Sequence, residues 1–175
     1  MLAAVADDAR AAGSRLLFSS IGGSAFVPGA GRRLLFALAG ASVRSAPGTS
    51  FRFSGRPAHL TVGAGVFMNQ GVFVEANAPV VIGDGCLLGM DSMIVTSNHP
   101  LDDDGRISPQ GEGSPVSIGK RVWIGARAVL LPGSVVESDC VIAAGAVVRG
   151  HCAAHGLYAG VPARRIRELP RPVAA

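Results

Sequence analysis

His99 is the residue whose type and setting in this sequence most strongly favour chemistry. It lies in the run IVTSNHPLDDDG, residues 94–105, where an apolar stretch breaks at Asn98-His99-Pro100 and three consecutive aspartates follow. A free imidazole titrates near neutral pH, so it can accept a proton and release it within one reaction. An isolated histidine before a proline more often only accommodates a turn, and the surrounding sequence must decide between these interpretations.

Other reactive side chains give weaker signals. The three cysteines are an odd number without the dense spacing of a disulfide scaffold, which favours a reducing compartment and predicts a cytoplasmic protein. The run HCAAH, residues 151–155, is the one metal-like cluster apart from His99, but Cys152 belongs to an inward column described below, so no metal site is expected. The net charge is only +4 and the arginines are scattered, which disfavours a nucleic-acid groove.

A six-residue repeat defines the elements that must position these side chains. It extends from about residue 60 to 153, with one irregularity around Asn77-Ala78-Pro79. One column of the repeat is aliphatic throughout: Ile82, Leu88, Ile94, Ile118, Ile124, Leu130, Val136, Ile142 and Val148. The column four places later holds mostly small residues: Cys86, Ser92, Asn98, Val122, Ala128, Ser134, Cys140, Ala146 and Cys152. Two columns in register predict an interior that repeats along the chain.

A period of six fits neither an amphipathic helix nor a lone hairpin. It fits a short flat strand followed by a tight turn, stacked coil on coil, with glycines 83, 89, 119 and 125 expected to relieve the backbone at the corners. Only 5% of the 175 residues are aromatic and 24 are glycine, so the core must be built from aliphatic side chains in thin layers. Ile94 and Ile118 are four whole hexads apart, so a loop inserted at about 100–117 keeps the phase of the repeat.

The segments outside the repeat are interpreted as caps. Residues 1–45 are predicted to form an N-terminal cap that is partly helical through GRRLLFALAG, 46–153 the β-helix, and 154–175 a C-terminal cap with a turn, a short helix and a tail. An open end of stacked coils needs a cover, which favours a cap over a membrane-surface helix for the apolar N-terminus. The apolar runs at 16–27 and 34–43 are too short to span a bilayer, and a secretory signal is not expected.

The sequence resembles the hexapeptide-repeat acyltransferases, and within them the maltose and galactoside O-acetyltransferase branch. IVTSNHPLDDDGR, VSIGKRVWIGARAVLLPGSVV, VIAAGAVV and AGVPARRIREL carry the resemblance, in the same order and with compatible spacing, from about Phe67 to Leu169. It implies an all-β fold, a left-handed parallel β-helix of triangular cross-section, assembled as a homotrimer with active sites between subunits. The lead-in GRRLLFALAGASVRSAPGTSFRFSG is similar instead to that of polysaccharide-modifying acetyltransferases.

The resemblance implies roles for the residues around the acceptor. His99 would be the general base that takes a proton from an acceptor hydroxyl as that hydroxyl attacks the thioester of acetyl-CoA. Asn69 would face the acceptor, Trp123 would flank the cleft, and Glu75 and Asn77, one coil below His99, would bind acceptor hydroxyls. Plainer alternatives are an asparagine that satisfies a turn and a tryptophan that only packs.

The resemblance also implies how acetyl-CoA would bind, with no metal required. The pantetheine arm would follow backbone groups at Ala126 and Ala144, whose small side chains allow a close approach, and the N–H groups of Gly125 and Ala126 would hold the oxyanion.

The phosphates of CoA would meet Arg149, Arg164 and Arg167, with Arg165 in reserve. Gly150 stands where the family often has lysine, so Arg149 would make that contact alone. For each of these arginines, the alternative is a solvated basic tail that has no ligand.

The expected reaction is acetyl transfer from acetyl-CoA to a hydroxyl of a sugar, glycan or glycosylated metabolite. The alternatives are an acyltransferase for an antibiotic or other natural product with a non-acetyl donor, and a non-catalytic structural β-helix. A γ-class carbonic anhydrase would need three zinc-binding histidines, and the repeat offers only His99 in a suitable place. The inserted loop is expected to cover a neighbouring subunit's cleft and shape the acceptor site, with its aspartates mostly solvated.

Overall fold

The protein is a stack of triangular coils whose sides are three β-sheets. A computed structural model describes Gly13 and residues 15–171. The helical elements among them are a π-helix (Arg15–Ile21), helix α1 (Gly29–Leu38) and a 3-10 helix (Pro57–His59). The strands are β1 (Ser42–Val43), β2 (Arg52–Gly55), β3 (Leu60–Val62), β4 (Phe67–Met68), β5 (Phe73–Ala76), β6 (Val80–Ile82), β7 (Leu87–Leu88), β8 (Met93–Ile94), β9 (Ser97–Asn98), β10 (Glu112–Gly113), β11 (Val116–Ile118), β12 (Trp123–Ile124), β13 (Val129–Leu130), β14 (Val135–Val136), β15 (Val141–Ile142), β16 (Val147–Val148), β17 (His151–Cys152), β18 (Gly156–Ala159) and β19 (Arg164–Glu168).

Each sheet forms one face of the stack. Face 1 has the order β1-β3-β6-β11-β14-β17, face 2 has β4-β7-β12-β15-β18 with β19 at its edge, and face 3 has β2-β5-β8-β13-β16. The chain passes through faces 1, 2 and 3 in turn, and strands of successive coils pair in parallel. The register survives the inserted loop, because Ile118 pairs with Ile82 in the coil before it and with Val136 in the coil after it. The predicted left-handed parallel β-helix is confirmed.

The two sequence columns form the interior. Every member of the aliphatic column from Ile82 to Val148 is at most 1% exposed, and each such side chain contributes about 1.5–3 kcal/mol through burial. The small column is buried too, with the exception of Asn98, which is exposed. The interior column therefore ends where the chain leaves the coils, just before His99.

The corner glycines serve the close approach of neighbouring coils. A Cβ on Gly83 would lie 2.5 Å from the carbonyl oxygen of Gly119 in the next coil, and one on Gly125 would lie 2.4 Å from the nitrogen of Ala144. Neither Gly83 nor Gly125 adopts a left-handed φ; that conformation comes two places later, for example at Arg127, where φ is 56°. The expectation that these glycines relieve the backbone is wrong, because space between coils is what excludes a side chain.

A cluster of four phenylalanines closes the N-terminal end of the stack. Phe18 of the π-helix and Phe36 of α1 pack on Phe51 and Phe53 of the first coil, with ring centroids 4.7–6.4 Å apart. The predicted helix in GRRLLFALAG corresponds to α1, whereas residues 1–12 and 14 of the predicted cap lie outside the described residues. β1 already belongs to face 1, so the first coil begins before residue 46. Between residues 15 and 171, no helix has the length and apolar character needed to cross a membrane.

The short helix predicted near the C-terminus is wrong, because Arg164–Glu168 is strand β19. It pairs antiparallel with β18, and the turn between them contains a cis Val161–Pro162 bond. The residues RRIRE have good helix propensity, but β18 would otherwise present unpaired N–H and C=O groups at the end of face 2. Pairing with the free edge overrides the local preference.

An ion pair at the corner between faces 1 and 2 predicts a dependence of stability on pH. Arg121 donates to both carboxylate oxygens of Asp139, each at 2.7 Å, and this bonding holds the pKa of Asp139 below its usual value. A depressed folded-state pKa means that the pair stabilises the fold above the unfolded pKa near 4, and that this contribution is lost as pH falls through the folded value.

We expect Asp139→Asn to lower Tm at neutral pH, and the difference from the native protein to shrink as pH falls below about 4. Thermal melts across this range measure both. Asp103→Asn is the matched control, because Asp103 is an exposed loop aspartate without a side-chain partner in the described part of the chain. A Tm difference for Asp139→Asn that stays constant at all pH values would contradict the expectation.

Candidate active site

A polar network surrounds residues 96–98, where the chain leaves the coils. This point is called the exit below. Thr96 is fully buried, and its hydroxyl donates to the carbonyl oxygen of Glu75 at 3.0 Å while accepting the N–H groups of Asn77 (3.1 Å) and Ala78 (3.2 Å). The Glu75 carboxylate accepts the N–H groups of Thr96 (3.1 Å) and Ser97 (3.0 Å) through Oε2. The start of the excursion is therefore tied to β5, one coil below.

The inserted loop is a hairpin with a small internal turn. β9 and β10 pair antiparallel, and a bridge joins Leu101 to Ile107. The Asp102 carboxylate accepts the N–H groups of Asp104 and Arg106 at 3.0 and 2.8 Å, which closes the turn over the acidic run. The three aspartates are all exposed, so the acidic run is a solvated turn.

His99 follows β9 and is exposed on the loop side. Its Nδ1 lies 3.1 Å from the carbonyl oxygen of Ser108. A carbonyl only accepts, so Nδ1 carries the proton and the neutral ring presents the lone pair of Nε2. Nε2 has no partner among residues 15–171, and Gly111 lies beside the ring without a side chain. This tautomer and orientation suit a general base.

A groove of about 400 Å³ adjoins this exit at the corner between faces 3 and 1. It lies between the hairpin and the coils above, with Leu131 and Pro132 as its apolar part and Glu112 and Arg149 as its charged part. Neither charged side chain has an ion pair within the described chain. Ser97, Asn98 and Ser114 add polar groups to the same lining. The groove can hold a polar ligand beside Asn98, the residue that precedes His99.

Glu75 and Asn77 lie next to this exit as predicted from the sequence, but they are partly occupied. Besides the two backbone N–H groups, Glu75 accepts the amide Nδ2 of Asn77 at 3.1 Å, and that amide also donates to Ser97 Oγ at 2.8 Å. Among the polar side-chain atoms of Glu75 and Asn77, only the amide oxygen of Asn77 has no partner in the described residues. Both carboxylate oxygens of Glu75 already accept internal hydrogen bonds.

A second set of predicted residues lies at the corner between faces 2 and 3. The N–H groups of Ala126 and Ala144 donate no hydrogen bond within the part of the chain that the structure describes, and both residues are at least partly exposed. Gly125 is different, because its N–H donates to Ile142 O at 2.7 Å. The prediction that Gly125 is an oxyanion donor is therefore wrong, whereas Ala126 has the free N–H this role needs. Asn69 lies after β4 on this corner, and its Oδ1 accepts the N–H of Gln70 at 2.8 Å.

The outer side of face 2 carries the remaining predicted residues. Trp123 is 54% exposed and stands between Leu87 and Val141 on neighbouring strands. Arg164 is opposite Ala159 and Arg167 is opposite Leu157, so both arginines share the outer side of face 2 with Trp123.

The two outer arginines are available, but the reserve arginine is not. Arg164 and Arg167 have no ion pair in the described chain. Arg165, by contrast, donates to the carbonyl oxygens of Ala154 and His155 and to Glu168, each at 3.1 Å. The reserve role that was predicted for Arg165 is therefore wrong.

Within one chain, the predicted residues thus form two separate groups. His99, Glu75, Asn77 and Arg149 lie at the corner between faces 3 and 1. Asn69, Gly125, Ala126 and Ala144 lie at the corner between faces 2 and 3, near the outer arginines and Trp123. The fold of one chain does not bring the two groups together.

Comparisons with known proteins show what the chain is similar to. Residues 115–150 match the family described as bacterial transferase hexapeptide (six repeats), and residues 79–97 match the hexapeptide repeat of succinyl-transferase. The chain is 28% identical over 135 residues to galactoside O-acetyltransferase of Escherichia coli, covering 77% of this chain and 65% of that protein.

Solved structures agree with these matches. A hexapeptide-repeat acetyltransferase from Vibrio cholerae superimposes with a TM-score of 0.81 at 28% identity, over 94% of this chain and 93% of that one. A maltose O-acetyltransferase from Clostridium difficile gives a TM-score of 0.79 at 25% identity, over 88% and 83% of the two chains. The chain is thus similar to hexapeptide-repeat acetyltransferases, and two models of hexapeptide repeats match parts of it. It spans 40–65% of the length of the first curated relatives it matches.

The site contains residues that the sequence did not suggest. Ser108, which orients His99, comes from within the loop, and Glu112 comes from β10; neither belongs to a column. Thr96 had a signal, because a polar residue two places before the break at Asn98 is unusual in an apolar coil. It is fully buried, and buried hydroxyls need partners.

Proposed function

We propose that the protein transfers an acetyl group from acetyl-CoA to a hydroxyl of a sugar, glycan or glycosylated metabolite. The observation that carries the proposal is the ring of His99, with Nδ1 bonded to Ser108 and Nε2 without a partner in the described residues, directly after Asn98, which lines a polar groove. Its relatives include galactoside and maltose O-acetyltransferases, which supports both the donor and the class of acceptor. The three unpaired, buried thiols support a cytoplasmic setting.

In the proposed mechanism the acceptor hydroxyl donates its hydrogen bond to Nε2 of His99. As the proton moves to Nε2, the hydroxyl oxygen attacks the thioester carbon, and the free N–H of Ala126 holds the developing oxyanion. Collapse forms the ester, breaks the carbon–sulfur bond and releases CoA thiolate, which takes the proton back from the imidazolium. No residue of the enzyme is acylated.

A homotrimer completes the site in this proposal. His99 and Ala126 lie at different corners of one subunit, so a hydroxyl on His99 and a thioester on Ala126 meet only when two subunits pack side by side. Asn69 and the amide oxygen of Asn77 would then contact the acceptor from opposite sides, with Trp123 at the edge of the cleft. The loop at 100–117 would cover the neighbouring subunit's cleft.

The phosphates of CoA would bind Arg149, Arg164 and Arg167. We expect Arg164→Ala and Arg167→Ala each to raise the KM for acetyl-CoA about tenfold with little change in kcat, because hydrogen bonds to charged groups contribute about 1.5 kcal/mol or more to binding. Steady-state kinetics with varied acetyl-CoA measure this effect. Arg33→Ala, another exposed arginine, is the control and should leave KM unchanged. An unchanged KM in both tail variants would favour the solvated-tail interpretation.

The direct test of the function is release of free CoA thiol when purified protein is mixed with acetyl-CoA and a panel of sugars, oligosaccharides and glycosylated natural products. Parallel reactions with succinyl-CoA and longer acyl-CoA donors test the donor. Acceptor-dependent release with acetyl-CoA, and an acetylated product by mass spectrometry, would support the proposal. Turnover with a longer donor alone would identify an acyltransferase of another specificity, and no turnover with any pair would favour a structural β-helix.

A further inference from the structure

We propose that Glu75 is a positioning residue that holds the chain segment carrying His99, in place of the acceptor-binding role expected from the sequence. Both carboxylate oxygens are already engaged by internal donors. The inference rests on the proposed function for its kinetic consequences. The two hydrogen bonds from the N–H groups of Thr96 and Ser97 to the Glu75 carboxylate, called the tie below, are a property of the fold and can be measured without activity.

The tie begins at the place where the sheet ladder stops. Val95 makes the last regular bond, from its N–H to Leu130 O at 3.0 Å. The next two N–H groups, those of Thr96 and Ser97, turn instead to Oε2 of Glu75. At the equivalent corner positions, two places after the aliphatic column, the N–H groups of Ala126 and Ala144 have no partner in the described residues, so the bond from Thr96 to Glu75 is an addition to the regular corner. A charged carboxylate is a stronger acceptor than a carbonyl.

The Glu75 side chain is itself held in place. Its Oε1 accepts the Asn77 amide, which also reaches Ser97 Oγ, so the carboxylate, the amide and the Ser97 hydroxyl form one chain of contacts. Thr96, fully buried, fixes the same segment from the inner side through the Glu75 carbonyl. Glu75 belongs to β5, which pairs in parallel with β2 and β8, so its backbone is part of the rigid stack.

Ser97 is only two residues from His99, so the tie limits where the imidazole can be. The ring then has two independent supports: Ser108 O fixes its rotation through Nδ1, and Glu75 fixes the position of its backbone through Ser97. Without the carboxylate, two N–H groups lose their acceptor and the segment can shift. A displacement of even about 1 Å at a general base costs up to about 10²-fold in rate.

We expect Glu75→Ala to lower kcat by about 10–100-fold with the KM for acetyl-CoA unchanged. Glu75→Gln keeps one oxygen that can accept both backbone N–H groups, so it should retain most of the activity. Glu137→Ala is the matched control: Glu137 also accepts a backbone N–H, that of Ala154 at 2.9 Å, and a side chain, but at a corner remote from His99, so kcat should not change. An increase in acceptor KM at unchanged kcat in Glu75→Ala would overturn the proposal in favour of an acceptor ligand.

A double mutant separates a role through His99 from an independent one. If Glu75 acts by positioning His99, Glu75→Ala should not lower the residual rate of His99→Ala any further, because the group being positioned is gone. Additive losses would overturn the proposal.

Amide hydrogen exchange tests the tie without any assay of acetyl transfer. We expect the amides of Thr96 and Ser97 to exchange at least about tenfold faster in Glu75→Ala than in the native protein, with no change at Ala154, and the reverse pattern in Glu137→Ala. Unchanged exchange at Thr96 and Ser97 would overturn the tie whatever the enzyme does. Faster exchange in a protein that acetylates nothing would instead mean that the proposed function, and not the tie, is wrong.

Discussion

His99→Ala should lower kcat by about 10²–10⁴-fold while Tm and acetyl-CoA binding stay nearly unchanged. The ring is exposed, and its one hydrogen bond within the described part of the chain, to Ser108 O, lies at the surface of a loop, so its loss costs the fold little. Because Nε2 is the open nitrogen, the whole catalytic contribution of the side chain is lost with it. Single-turnover and steady-state rates measure the loss in kcat. Calorimetric binding of CoA and thermal melts test whether binding and Tm are unchanged.

His59→Ala is the matched control for His99. Its Nδ1 also lies within hydrogen-bond distance of a backbone carbonyl, that of Ala76 at 3.2 Å, but it is not part of the proposed site. Wild-type turnover in His99→Ala would contradict the mechanism. So would an acyl-enzyme trapped on a cysteine. Burial disfavours that species, since it raises the pKa of Cys86 and Cys140 above the ordinary value and that of Cys152 to about 11, which keeps the nucleophilic thiolate scarce.

Gly83→Ala should destabilise the fold by about 2–3 kcal/mol, more than its added methyl group suggests. The new Cβ would lie 2.5 Å from Gly119 O and 2.6 Å from its carbonyl carbon, and both are backbone atoms of the next coil. Backbone in a parallel stack cannot move without breaking ladder bonds such as Gly83 N to Ile118 O at 2.8 Å. Denaturant unfolding, with the midpoint and slope both fitted, measures the loss.

Gly145→Asn is the control for Gly83→Ala. A glycine with a left-handed φ is usually expected to be the harder one to replace, but here we expect the opposite. Gly145 has a left-handed φ of 69°, yet a Cβ at this position would meet no atom of the described chain within 4 Å, and the equivalent corner position at Arg127 is not glycine. Asparagine tolerates this conformation, so a cost below about 1 kcal/mol is expected. If Gly145→Asn were the more damaging change, backbone conformation and not coil spacing would control the corners.

The β-helix could be predicted from the sequence because its cause is local and periodic. Ile118, Ile124 and Leu130 repeat every hexad, and each fills the same interior position of its face, so the pattern needs no knowledge of distant contacts. Strand β19 could not be predicted in this way. Its conformation depends on the free edge of β18, and the local residues alone favour a helix.

The site was predictable to the extent that it coincides with a break in the pattern. Asn98 and Pro100 show where the chain leaves the coils, and so indicate the position of His99. The contact with Ser108 depends on how the loop folds back, which no periodicity encodes. The separation into two corners had a usable signal: Ile94 and Ile124 are five hexads apart, and because faces recur every three hexads, the residues following them cannot share a corner.

The three buried cysteines lie in different coils, so each thiol can report the local stability of its own coil. Cys86 lies in the coil of β6 to β8, Cys140 in the coil of β14 to β16 and Cys152 in β17 near the C-terminal end, and all three side chains point into the interior. Each coil contacts only its neighbours, so an end can fray without the whole stack opening. The rate at which an alkylating reagent modifies each thiol therefore reports how often that coil opens. The three rates together measure local stability at three positions along a single chain without any introduced label.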